Sequence, residues 1–200
     1  LLKNPFNIVC DIDNALCIAK YLWLYYKHGH VMSIIHMNEV LIDIFRNKFF
    51  VLFFHWSWQV RDIFYHLLWY IVSHRIKNKN YLKEKKNLFE ERMNTLKRGD
   101  EQGFYKFFQK DYYEQMKSSI LKEYYEKVRI IEVVRSVVKK EKLDPNYNTN
   151  FVSDSKILEH ISEDSRKMVV ASIHQYDLVE KEFKAWEKRN KTCNSIQYPE

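Results

Sequence analysis

Two carboxylates stand two residues apart in Cys10-Asp11-Ile12-Asp13-Asn14, side chains of a type that can serve as nucleophiles or as general acids and bases. The eight histidines offer metal ligands: His28, His30 and His36 lie close together with Glu39 after them, and His66 and His74 are eight apart. None of these forms a His-Glu-x-x-His, His-x-x-x-His or Glu-x-x-His pattern, the spacings that put two ligands on one helix face. Cys10, Cys17 and Cys193 make no Cys-x-x-Cys pair, no serine sits in a Gly-x-Ser-x-Gly elbow, and no local signature activates either N-terminal thiol. Glu163-Asp164 falls at an expected helix start, where acidic side chains complement the helix dipole.

The stretch Ile8-Val9-Cys10-Asp11-Ile12-Asp13-Asn14-Ala15-Leu16 resembles the first motif of the haloacid dehalogenase-like phosphatases, an apolar strand followed by Asp-x-Asp-Gly-Thr. That resemblance covers nine residues and implies a nucleophilic Asp11 with Asp13 as acid/base. Asn14-Ala15 stands where the family has its small turn residue and hydroxyl, and the remaining chain shows no strand–helix repeat to bring the other catalytic groups. The bland alternative is an aspartate capping a helix. The motifs therefore predict no enzyme, no catalytic residue, no cofactor and no metal site, with this phosphatase as a third reading.

The elements that would have to position such residues are constrained by glycine. The chain has 200 residues and only 3 Gly and 3 Pro, against about 14 Gly at average usage near 7%. Hairpin turns and phosphate-cradling loops draw on glycine, so many-turned β folds, Rossmann domains and P-loop enzymes are all disfavoured. With 46% hydrophobic residues the chain is not disordered. The expectation is an all-α, irregular helical protein.

Apolar spacing predicts a helix from Asp13 as N-cap to Lys27 with Gly29 as stop, and a second from about Val31 to Arg46. Residues 49–72, FFVLFFHWSWQVRDIFYHLLWYIV, form an aromatic-rich apolar block, expected as one helix, interrupted only by Arg61-Asp62. At about 1.5 Å per residue such a helix would reach about 36 Å, enough to cross a bilayer. Each central charge would cost about 2.5–3.5 kcal/mol there, so the block is read first as a buried core helix and second as a membrane-associated segment within a complex. Trp56, Trp58, Tyr65, Trp69 and Tyr70, with Arg61 and Asp62, are the expected partner or membrane contacts. Arg75, Lys77, Lys79, Lys83, Lys85 and Lys86 follow as candidates for an anionic partner.

A polar helix is expected over 80–98, then a loop framed by Gly99 and Gly103. Tyr112, Met116, Ile120, Tyr124, Val128, Ile131, Val134 and Val138 then make one stripe on a long amphipathic helix within 99–143. Residues 144–155 read as a linker, and 156–200 as a C-terminal helical region whose last helix, starting near Ser162, carries Val169, Ile173, Tyr176, Val179, Phe183 and Trp186. Residues 1–98 then form an N-terminal helical region around the aromatic block. The two long helices could pair antiparallel, or each could bind a partner's helix.

The formal net charge of +7 is concentrated: residues 1–76 carry +2, 77–143 carry +7 and 144–200 carry −2. A basic stretch with interleaved aromatics could lie on RNA, although no nucleic-acid-binding signature is present. Scattered cysteines suit a reducing intracellular compartment. The expected function is a non-catalytic accessory or scaffold subunit of a large assembly, associated with the mitochondrial inner membrane (respiratory-chain or ATP-synthase type). Its partners would be other protein subunits, with lipid possible at 49–72. The alternative is an RNA-bound subunit of a mitochondrial ribosome, through 77–143.

Overall fold

The computed structural model describes residues 5–29, 32, 34–73, 110–141 and 163–190. These are all-α, with no strand among the described residues. The basic candidates Arg75 to Lys86, the polar helix over 80–98, the Gly99–Gly103 loop and the linker 144–155 lie outside them.

Helix α1 (Pro5–Asp11) begins on a proline, whose missing N–H is no loss in a first turn. Asp13 then takes φ +50, a left-handed turn that aspartate tolerates better than most residues. It is therefore not the cap of α2 (Ala15–His28). Asn14, in extended conformation, takes that place, and its Oδ1 accepts the Cys17 N–H at 3.1 Å. Ile18, Leu22, Tyr25 and Tyr26 form the buried face of α2, while Leu16, Trp23 and Leu24 stay exposed.

Gly29 ends α2 as expected, but in right-handed conformation, so its smallness matters through close approach. A Cβ there would meet the Tyr25 carbonyl oxygen at 2.5 Å and Met37 Cε at 3.0 Å. Gly29→Ala should accordingly destabilise the chain by about 1–2 kcal/mol, read as a lower urea midpoint, although alanine has the better helix propensity.

Helix α3 (Ile34–Asp43) runs into a π-helical turn, Ile44–Lys48, and on into α4 (Phe49–Phe53). In this wider turn Ile44 and Phe45 are buried, while Arg46 reaches Glu123 at 2.8 Å and Lys48 reaches Asp11 at 2.7 Å. The chain reverses through Phe54–Ser57 into α5 (Trp58–His66), which passes into a second π-helical turn, Leu67–Ser73. The 49–72 block is thus helical and largely buried, but as a helical hairpin instead of one helix. Among the described residues no helix is long and apolar enough to cross a membrane.

The long helix α6 (Lys110–Glu141) buries Ile120, Tyr124, Ile131, Val134 and Val138 along its stripe. A short α7 (Glu163–Lys167) is separated by Met168 from α8 (Val169–Arg189), which buries all six of its stripe residues. Packing places α5 against α2 and α8, and α6 against α3 and the first π turn. Aromatic rings join these layers: Phe45 meets Tyr124 at 5.8 Å, Tyr65 meets Tyr176 at 5.3 Å, and Tyr70 meets Tyr26 at 6.1 Å and Phe183 at 5.1 Å.

Candidate functional site

The polar residues gather where the α1–α2 turn, the α4–α5 turn and the start of α8 meet. Reversing the chain at Phe54–Ser57 leaves the last carbonyls of α4 without helical partners. Arg61, one turn into α5 and 6% exposed, answers for two of its neighbours' carbonyls: Nη1 donates to the His55 oxygen at 2.6 Å and to the Trp56 oxygen at 3.1 Å. Its Nε donates to Gln175 Oε1 on α8 at 3.0 Å. Gln175 completes the clamp, its amide nitrogen donating to the Trp58 oxygen at 3.1 Å and to Asp62 Oδ1 at 3.2 Å. Tyr65 donates its hydroxyl proton to the Phe53 oxygen at 2.6 Å. Burial pulls the Arg61 guanidinium below its ordinary pKa, against the influence of Tyr65 and Asp62.

His55, 4% exposed, is the centre of the turn itself. Its Nδ1 accepts the Ser57 N–H at 3.0 Å and its Nε2 faces Asp13 Oδ1 at 3.2 Å. The Trp56 indole N–H points to the same Asp13 oxygen at 3.4 Å. Burial holds the His55 imidazole below its ordinary pKa, with Asp13 pulling the other way.

The expected contact residues divide here. Trp56 and Trp58 are exposed, at 59% and 62%, whereas Arg61, Tyr65 and Tyr70 are buried within the chain and Asp62 and Trp69 lie between. Trp69 stacks on Tyr176 at 5.4 Å and on Phe183 at 5.5 Å. Gln175, Met168 and the Asp13–His55 contact were not singled out from the sequence. Gln175 is separated by 114 positions from Arg61, and no local pattern announces such a pair.

The carboxylate pair does not converge on a shared centre. Asp11 ends α1 and binds Lys48, while Asp13 turns towards His55, and the segment before them is helical where the phosphatase resemblance implies a strand. Burial pushes the Cys10 thiol up to about 12, away from nucleophilic use. Among the described residues no three His, Cys, Asp or Glu side chains group as metal ligands would.

A second charged cluster joins α6 to α8. Arg135 pairs with Glu180, with Asp177 at 2.6 Å and with Glu132 at 3.1 Å. Lys139 reaches Asp177 at 2.9 Å and Lys184 reaches Glu180 at 2.6 Å. Arg135 and Lys139, one turn apart on α6, thus meet Asp177 and Glu180 on α8, so the two long helices touch each other within the chain at this point. Burial alone would raise the Glu180 carboxyl, but hydrogen bonds from Lys184 and Arg135 outweigh it and hold the group below its ordinary value of 4.5. The unfolded chain therefore takes up this proton first as pH falls. The contribution is complete above about pH 4.5 and is lost as pH drops through the lower folded value. Urea midpoints should decline over that acid range, and Glu180→Gln should flatten the decline.

No family model matches the chain, and neither a curated protein nor a solved structure matches it.

Proposed function

We propose that the protein is a non-catalytic accessory or scaffold subunit of a larger assembly, associated with the mitochondrial inner membrane. The observation that carries this reading is the exposure of Trp56 and Trp58 at the edge of an aromatic block whose other large side chains are mostly buried. Two neighbouring tryptophans left in water lose the burial energy that their type ordinarily contributes, and tryptophan is enriched at the centres of protein interfaces. Ile12, Leu16, Trp23 and Leu24 add exposed apolar surface on the α1–α2 side. The mitochondrial, membrane-edge part of the proposal rests on composition: Trp and Tyr through residue 70, then the basic run from Arg75 to Lys86. Since no described helix can span a bilayer, the described part would attach through partner subunits or at the membrane surface.

The test is native electrophoresis of tagged protein from mild detergent extracts of mitochondria. The wild-type chain should migrate within a large complex, and a Trp56→Ala, Trp58→Ala double variant should run as free subunit with unchanged circular dichroism. A chain that runs as a monomer in both forms would sink the proposal. Salt-labile, ribonuclease-sensitive association would transfer support to an RNA-bound subunit.

A further inference from the structure

We propose that His55 is a proton-sensitive latch on the α4–α5 turn: a second ring proton disconnects the imidazole from the Ser57 amide, opens the turn and frees the Trp56 indole from Asp13. The neutral ring uses its nitrogens differently. Because Nδ1 accepts the Ser57 N–H at 3.0 Å, the one ring proton sits on Nε2, facing Asp13 Oδ1 at 3.2 Å. A protonated Nδ1 can only donate, so N–H would oppose N–H and the amide of buried Ser57 would lose its acceptor.

The same proton creates a cation close to Arg61, whose Nη1 lies 2.6 Å from the carbonyl oxygen of His55 itself. Two charged groups act on the ring: Asp13 from the α1–α2 turn favours the second proton, and Arg61 from α5 opposes it. Helix α4 has no ionisable side chain, and Met168 and Gln175, which reach Arg61 from the α8 side, are uncharged. Burial also opposes the cation and outweighs Asp13, so the closed turn belongs to the neutral ring. Relief for the cation lies outwards, towards the exposed Asp13 carboxylate in its left-handed turn. Trp56 is bound to that same oxygen and follows His55 directly in the chain, so movement of the ring disturbs its contact.

The experiment is an NMR titration of the full chain from about pH 7.5 to about pH 4.5, following the His55 ring, the Ser57 amide and the Trp56 indole. The three signals should shift with one midpoint below the ordinary histidine value of 6.5. Ser57 amide exchange, corrected for its intrinsic pH dependence, should quicken by about tenfold while helical circular dichroism holds. Asp13→Asn, a change at an exposed site, should move the midpoint lower, and His55→Gln should abolish the joint transition. Three outcomes would overturn the latch: a ring that titrates while the Ser57 and Trp56 signals stay fixed, a midpoint unmoved by Asp13→Asn, or cooperative melting of the helices in the same pH window.

Discussion

Replacing Arg61 by methionine should cost about 3 kcal/mol and lower the melting temperature by on the order of 10 °C. Two effects oppose each other. Removing a buried charge returns its desolvation penalty, and for a buried ion pair exchanged whole for apolar residues that return can cancel the loss. Arg61 is different because its described partners are fixed and mostly neutral: the oxygens of His55 and Trp56, and Gln175 Oε1. All of them stay behind when the guanidinium goes, and each buried orphaned acceptor costs about 1–3 kcal/mol. The loss therefore wins. Lysine should recover only part of it, since one ammonium cannot fork between the turn carbonyls and α8. Thermal melts followed by circular dichroism would decide the point, and a methionine variant as stable as wild type would mean that the turn does not depend on this clamp.

Phe53→Ala should be still more damaging, at about 3–5 kcal/mol. The Phe53 ring lies 4.8 Å from Tyr65, 5.1 Å from Tyr176, 5.0 Å from Phe54 and 5.7 Å from Phe49, so its removal empties the junction of α4, α5 and α8. Those neighbours are themselves held, Tyr65 by its bond to the Phe53 carbonyl, and cannot collapse freely into the space. Phe53→Leu should retain most of the stability. Val51→Ala, on the same helix but exposed, should change it by less than about 0.5 kcal/mol. Urea denaturation of the three variants gives the comparison, and equal losses at positions 51 and 53 would contradict the buried face described for α4.

The long helices were legible because their apolar residues repeat with helical spacing: all six α8 stripe positions are buried, and α6 follows the same logic from Ile120 to Val138. Glycine scarcity likewise pointed to helices. The break at Phe54–Ser57 was not legible, because it contains neither Gly nor Pro and is held by Arg61, four residues beyond it, and by Gln175 on a distant helix. Asp13 and Asn14 are both good caps by type, and only the backbone angles separate the one that caps from the one that turns. Trp56 and Tyr65 belong to one aromatic block in the sequence, yet one is exposed and the other buried. The division follows from the hairpin, which turns one side of the block inwards against α8.

The π turn at Ile44–Lys48 makes the helix there unusually tolerant of a change in length. Each helical residue advances the chain by about 100° around the axis. Deleting Asn47, an exposed side chain bonded to Asp43 one turn before it, would let the wide rung tighten into an ordinary one, which takes up the loss without rotating the residues downstream by that angle. Phe49, Leu52 and Phe53 would keep their place in the core and Val51 its exposure. At this position the molecule should bear a single-codon loss, whereas the same loss in the middle of α8 would turn a buried face outwards.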